Sequence, residues 1–224
     1  TDDTTVNELN SYIDGAFSDN ILEEREKSII KEAKKTFDSK FDEIAAEYSQ
    51  LLVASYVEED NTERQALISA YNTLSSIKTE LDESIKNILD STSTSDLESL
   101  KNIYDAKYVE FVKALQDYRT AVEKLKEEIN KELNSANQYI ANIIDDNVVT
   151  PIEKKQLFDI WRQISEEFST NKGIAVNYKI IDSEGNQRTD IYESNDYYLI
   201  YKAYKDSYDN LIPLFNAFEL DKLN

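Results

Sequence analysis

Carboxylates are the most abundant reactive side chains in this sequence, with 45 Asp and Glu against 25 Lys and Arg and a formal charge of −20. Pairs such as Glu23 with Glu26 and Glu166 with Glu167 are of the type that supplies acid and base to glycoside hydrolysis. In so acidic a chain the same pairs arise on any solvated helix face, and that plainer account is preferred. Residues 90–98 and 145–147 have the composition of calcium-loop material, yet they lack the alternating ligands and the glycine of an EF-hand loop. Caps and turns account for them better. With no His and no Cys, a Ser-His-Asp triad, a Cys nucleophile, thiol redox chemistry and the usual zinc or haem ligand sets are excluded. The chain is therefore read as non-enzymatic, with no catalytic residue, no cofactor and no metal.

Aromatic side chains are the other resource: 15 Tyr and one Trp could stack on sugar rings. Most of the tyrosines fall on helical core stripes, however, and Tyr197, Tyr201, Tyr204 and Tyr208 are assigned to a core. Trp161 is placed in the same core, opposite the last helix. Tyr178 and Tyr192 fit no stripe and are the candidate partner contacts, toward a host-surface glycan or protein. Loops on a rigid scaffold commonly carry recognition.

These residues must be positioned mainly by helices. Three Gly and two Pro in 224 residues leave little material for tight turns, and 40% apolar content is enough for a core. The charge repels phosphate backbones and anionic headgroups, so neither nucleic acid nor membrane is expected as a partner. The longest apolar cluster, around Ile140 to Ile144, is far short of the roughly 20 residues of a membrane span, so no membrane insertion is expected. Thr at position 1 and the absence of Met suggest a piece of a longer chain.

Shifted by 127 positions, residues 7–27 fall on 134–154 without a gap, and eight of the 21 pairs are identical, among them Asn7/Asn134, Asn10/Asn137, Tyr12/Tyr139 and Glu26/Glu153. Ala70-Tyr71 answers Ala203-Tyr204 at an offset of 133. Apolar spacing of three and four predicts helices over about 22–56, from Thr62 onward with Gln65 completing a capping box, and over about 97–143 with Ser95 and Glu98 capping the start. At 1.5 Å per residue the last would be about 70 Å long, a connecting rod. Thr150, Pro151 and Glu153 form the clearest helix start, and Lys172-Gly173 the expected stop. Val176, Tyr178 and Ile180 alternate, and residues 189–192 could return, so a short β-hairpin is expected in an insertion at 174–192. Pro213 should kink the final helix.

The run Ala16-Phe17-Ser18-Asp19-Asn20-Ile21-Leu22-Glu23-Glu24-Arg25-Glu26-Lys27 and its echo Asp146-Asn147-Val148-Val149-Thr150-Pro151-Ile152-Glu153-Lys154 resemble the recurring D-G-x-I-T-x-x-E helical module of tailed-phage minor structural proteins, the tail-tip and tail-fibre chains. The sequence departs from that pattern at Asn20 and Asn147, where Gly is usual, at Glu24, where Pro is usual, and in the insertion. The resemblance implies a mainly α fold of tandem antiparallel helical bundles joined by a long helix. Residues 1–15 would be the end of a preceding connector helix, 16–136 a first three-helix repeat with its connector, and 137–224 a second, incomplete repeat. It implies a structural spacer in a virion tail, presenting host-recognition domains, with other tail proteins or copies of itself as partners. A bacterial surface adhesin, extracellular or at the cell surface and contacting a glycan or protein through the insertion, is the alternative.

Overall fold

The computed structural model describes residues 4–54, 59–145, 148–188 and 196–220. Among these, six helices appear in the order α1 (Thr4–Ala16), α2 (Glu24–Ala54), α3 (Thr62–Leu89), α4 (Leu97–Ile143), α5 (Pro151–Asn177) and α6 (Asp196–Phe218). The mainly α class is as expected. No strand occurs among the described residues, and pairing of the β type is confined to one isolated antiparallel bridge, Ile181 with Gln187.

The starts of α3, α4 and α5 are satisfied locally, as the first N–H groups of a helix, which have no partner within it, require. At α5 the Thr150 Oγ1 accepts from the Glu153 N–H at 3.2 Å and the Glu153 carboxylate accepts from the Thr150 N–H at 3.0 Å, a complete capping box with Pro151 in the first turn. The other caps are each displaced by one residue from their expected places, the first toward the N-terminus and the second toward the C-terminus. Asn61 Oδ1 accepts from the Arg64 N–H at 2.9 Å, so Asn61, not Thr62, caps α3. Asp96 accepts from the Ser99 N–H at 3.1 Å, so Asp96 caps α4, while Ser95 Oγ holds the Thr92 N–H in the preceding turn. Asn and Asp outrank or equal Ser and Thr as caps, and their side chains place the acceptor over the same N–H groups.

The chain forms two compact units. The first comprises Thr1–Tyr48 and Gln65–Val122, the second Ser49–Arg64 and Glu123–Asn224. In the first unit α2, α3 and α4 meet through aromatic contacts: Phe37 lies edge-on to Phe111 at 5.3 Å, Tyr48 stacks on Tyr71 at 3.8 Å, and Tyr71 lies against Tyr118 at 6.0 Å. Leu67, Leu74, Leu81, Ile85 and Ile88 bury the inner stripe of α3. Helix α1 closes onto α4 by polar contacts, with Tyr104 Oη donating to Asn10 Oδ1 at 2.8 Å, Tyr108 Oη to Asn7 Oδ1 at 3.0 Å, and Lys101 paired with Asp14 at 2.7 Å.

In the second unit Ile140, Ile143, Leu157, Ile164, Leu211 and Leu220 form a core joining the end of α4 to α5 and α6. Trp161 packs at its margin, only partly buried, against Phe215 at 4.4 Å and Phe158 at 5.8 Å, which corrects its expected place in the interior. Tyr197, Tyr201 and Tyr204 are fully buried, and Tyr208 is partly buried, stacked on Phe168 at 4.8 Å. Pro213 lies within α6, whose described helix continues past it to Phe218.

Candidate functional site

The insertion at 174–192 carries both candidate contact residues, and its start is helical. Helix α5 passes Gly173 and ends at Asn177, so Ile174 and Val176 are not strand residues. Gly173 has open space around it and no special backbone angle, so nothing there stops a helix. The stop comes at Lys179, whose φ of 61° turns the chain left-handed. The Ile180 N–H then reaches the Ala175 carbonyl at 2.8 Å and the Lys179 N–H the Val176 carbonyl at 3.0 Å, the two bonds of a Schellman ending. Ile180 is buried by the same turn.

Beyond it, Asp182 organises a tight loop. Its Oδ1 accepts from the Glu184 and Asn186 N–H groups, each at 2.9 Å, and these and neighbouring backbone donors, Asn186 foremost, hold its carboxyl below the ordinary range. Gly185 takes φ 91°, and a Cβ there would stand 3.2 Å from Tyr201 Oη. The loop therefore rests on α6. Ile181 and Tyr201 are each 1% exposed beneath it, and Arg188 N–H bonds to the Ile180 carbonyl at 3.2 Å.

Tyr178 is 47% exposed at the end of α5, beside exposed Lys179 and on the same loop as exposed Asp182, Glu184 and Arg188. The exposed Tyr178 ring can stack and its hydroxyl can hydrogen-bond. Tyr192, with the whole of 189–192, lies outside the described residues, so the returning strand expected there does not enter the description.

The carboxylate pairs separate. Glu26 accepts from the Glu23 N–H at 2.9 Å and acts as a helix cap. Glu166 is exposed while Glu167 is buried, because neighbours in a helix sequence do not share a face. Burial pushes the Glu167 carboxyl above the ordinary value, against a 3.2 Å hydrogen bond from Gln163 and with the Glu132 charge adding to the rise. Among the described residues no group of three or more Asp and Glu is arranged to hold a metal ion.

A feature not singled out from the sequence is the Asn7 and Asn10 clasp on α4. Its signal was present in the repeat, since both asparagines recur 127 residues later. Compared with family models, curated proteins and solved structures, the chain matches none.

Proposed function

We propose that this chain is a structural, non-enzymatic spacer segment of a phage tail or tail fibre: tandem helical bundles joined by a long helix, with a small hairpin-like insertion, that present recognition domains toward the host. One observation carries the reading. The module it resembles needs Gly after Asp and Glu three residues after the cap, and the first copy meets both demands physically. Asn20 sits at φ 59°, the left-handed region that Gly fills most easily and Asn tolerates best among the rest. Asp19 Oδ1 holds the Ile21 N–H at 3.1 Å inside that turn. Glu26 caps the Glu23 N–H, and Glu153 makes the same bond to Thr150 in the second copy. Such a module sets the direction in which one helix follows another, which is a spacer's task.

The alternative, a surface adhesin, is favoured by one observation, the exposed Tyr178 beside a loop ordered by Asp182. Gold-labelled antibodies against the chain, applied to virions and to cells from the same source, test the two. Labelling along tails supports the spacer reading. Labelling of cell surfaces with bare virions overturns it in favour of the adhesin.

A further inference from the structure

The two copies of the repeat close the same helix pair with different chemistry. Shifted by 127 residues, Ile30 and Phe37 of α2 fall on Leu157 and Ile164 of α5, all four buried, and half-buried Phe41 falls on half-buried Phe168. At the offset of 133 that Ala70-Tyr71 sets, buried Leu74 and Lys78 of α3 fall on buried Ser207 and Leu211 of α6. In this register Lys34, Asp38, Lys78 and Asp82 correspond to Trp161, Ser165, Leu211 and Phe215. The contacts correspond as well: Lys34 pairs with Asp82 at 3.0 Å, and Trp161 packs on Phe215 at 4.4 Å.

In the first unit the joint is ionic. Lys78 bridges Asp38 and Asp82, and Lys34 bridges the same two carboxylates. Helix α4 meets this layer with the Phe111 ring, which lies against Phe37 and Phe41. The charges that act on Asp38 are those of Lys34 on its own helix and Lys78 on α3, and with their hydrogen bonds they hold its carboxyl below the ordinary value in spite of burial. Acid that protonates these carboxylates leaves two largely buried ammonium groups without their partners. In the second unit the four corresponding positions carry no titratable group. The buried carboxylate there, Glu167, falls on exposed Lys40 of the first copy and lies outside the joint. It is met by Gln163 of its own helix, by the Tyr204 hydroxyl of α6 and by the charges of Glu132 on α4 and Glu166 on α5, and burial with those charges outweighs the hydrogen bonds, so protonation favours this unit.

We infer that the chain carries an acid-operated release confined to one unit: protons open the ionic joint of α2 and α3 and leave the apolar joint of α5 and α6 closed. A carboxylate held by cations contributes stability while it is ionised, above the ordinary Asp range, and the contribution is lost as pH falls below about 4. Burial of Trp161 against Phe215 has no such dependence, because neither ring takes up a proton. Pairs within one helix, such as Lys202 with Asp206 and Lys205 with Asp209, lie on exposed surface, and their loss in acid weighs little. The device is written into the repeat itself and holds whether or not the chain belongs to a virion.

Hydrogen-exchange mass spectrometry of the full 224-residue chain at pH 7 and pH 3, corrected for intrinsic exchange, reads the two joints separately. Protection of α3 is expected to fall about tenfold or more from pH 7 to pH 3 relative to that of α5. Asp38→Asn with Asp82→Asn reproduces the protonated joint at almost unchanged side-chain volume, so α3 should already be about tenfold less protected at pH 7 and lose little more at pH 3. Lys34→Trp, Asp38→Ser, Lys78→Leu and Asp82→Phe together install the second unit's joint in the first and should remove most of the acid loss. Should that fourfold variant fail to fold, the Asn pair decides alone. Equal loss in α3 and α5 of the wild type, undiminished protection of α3 at pH 7 in the Asn pair, or an unchanged acid loss in the folded fourfold variant overturns the proposal.

Discussion

Lys78 is the test of how this acidic chain uses its few cations. Its side chain is 9% exposed, yet its ammonium meets Asp38 at 2.9 Å and Asp82 at 2.7 Å and stands over the rings of Phe37 and Phe41 at 5.2 and 5.1 Å. Lys34 completes the cluster, reaching Asp38 at 2.7 Å and Asp82 at 3.0 Å. Lys78→Met keeps the alkyl length and removes the charge. The two ring contacts are worth roughly 0.5–1 kcal/mol each. The ion pairs would be worth several kcal/mol if wholly buried, but Asp38 and Asp82 are 43% and 34% exposed, and water screens them. Lys34 stays to neutralise part of the freed charge, and the Met side chain gains from burial. The expected net loss is about 2 kcal/mol at pH 7, read as a shift of the urea midpoint by circular dichroism with an unchanged slope. The pH dependence follows from Asp38. Burial alone would raise its carboxyl, but hydrogen bonds and charge from Lys34 and Lys78 outweigh burial and hold it below the ordinary value. A carboxyl lowered in the folded state adds stability that is present above its unfolded value and disappears as pH falls through the folded one. The gap between wild type and Lys78→Met should therefore narrow below about pH 4. A loss under about 0.5 kcal/mol at pH 7, or a gap as wide at pH 3 as at pH 7, refutes this account of the cluster.

Three further outcomes are expected. Thr150→Ala removes one half of the capping box and should cost about 1 kcal/mol in thermal or urea unfolding, with Thr150→Ser restoring most of it. Glu167 has a carboxyl raised by burial, so its protonated form is the one the fold favours; stability gained below the ordinary glutamate value is lost as pH rises through the raised value, and Glu167→Gln should be more stable than wild type at pH 7 and show a flatter profile between pH 4 and 7. Lys179→Gly relieves a left-handed residue at the end of α5 and should raise the melting midpoint by the equivalent of about 1 kcal/mol, while Lys179→Val should lower it.

The helices were legible in the sequence because each is decided by neighbours three and four residues apart. The inner stripe of α3, the 47-residue run of α4 and the reciprocal cap of Thr150 and Glu153 are all local patterns. Local pattern also located the caps of α3 and α4 to within one residue, and erred where Asn61 and Asp96 competed with adjacent hydroxyls. Where α5 ends was decided by tertiary structure. Gly173 offered a stop, but helix continuation lets Ala175 bury fully and brings Ile180 and Ile181 under the loop, a gain that outweighs a left-handed Lys179. The alternation of Val176, Tyr178 and Ile180 looked like a strand because a helix end followed by a turn also alternates over so short a run. Trp161 shows the same limit: its stripe position was set by sequence, but how deep it lies depends on Phe215, 54 residues away. Partners that distant meet only when the chain has packed, and for that reason the repeat of Asn7 and Asn10 could be read from the sequence while the tyrosines that clasp them could not.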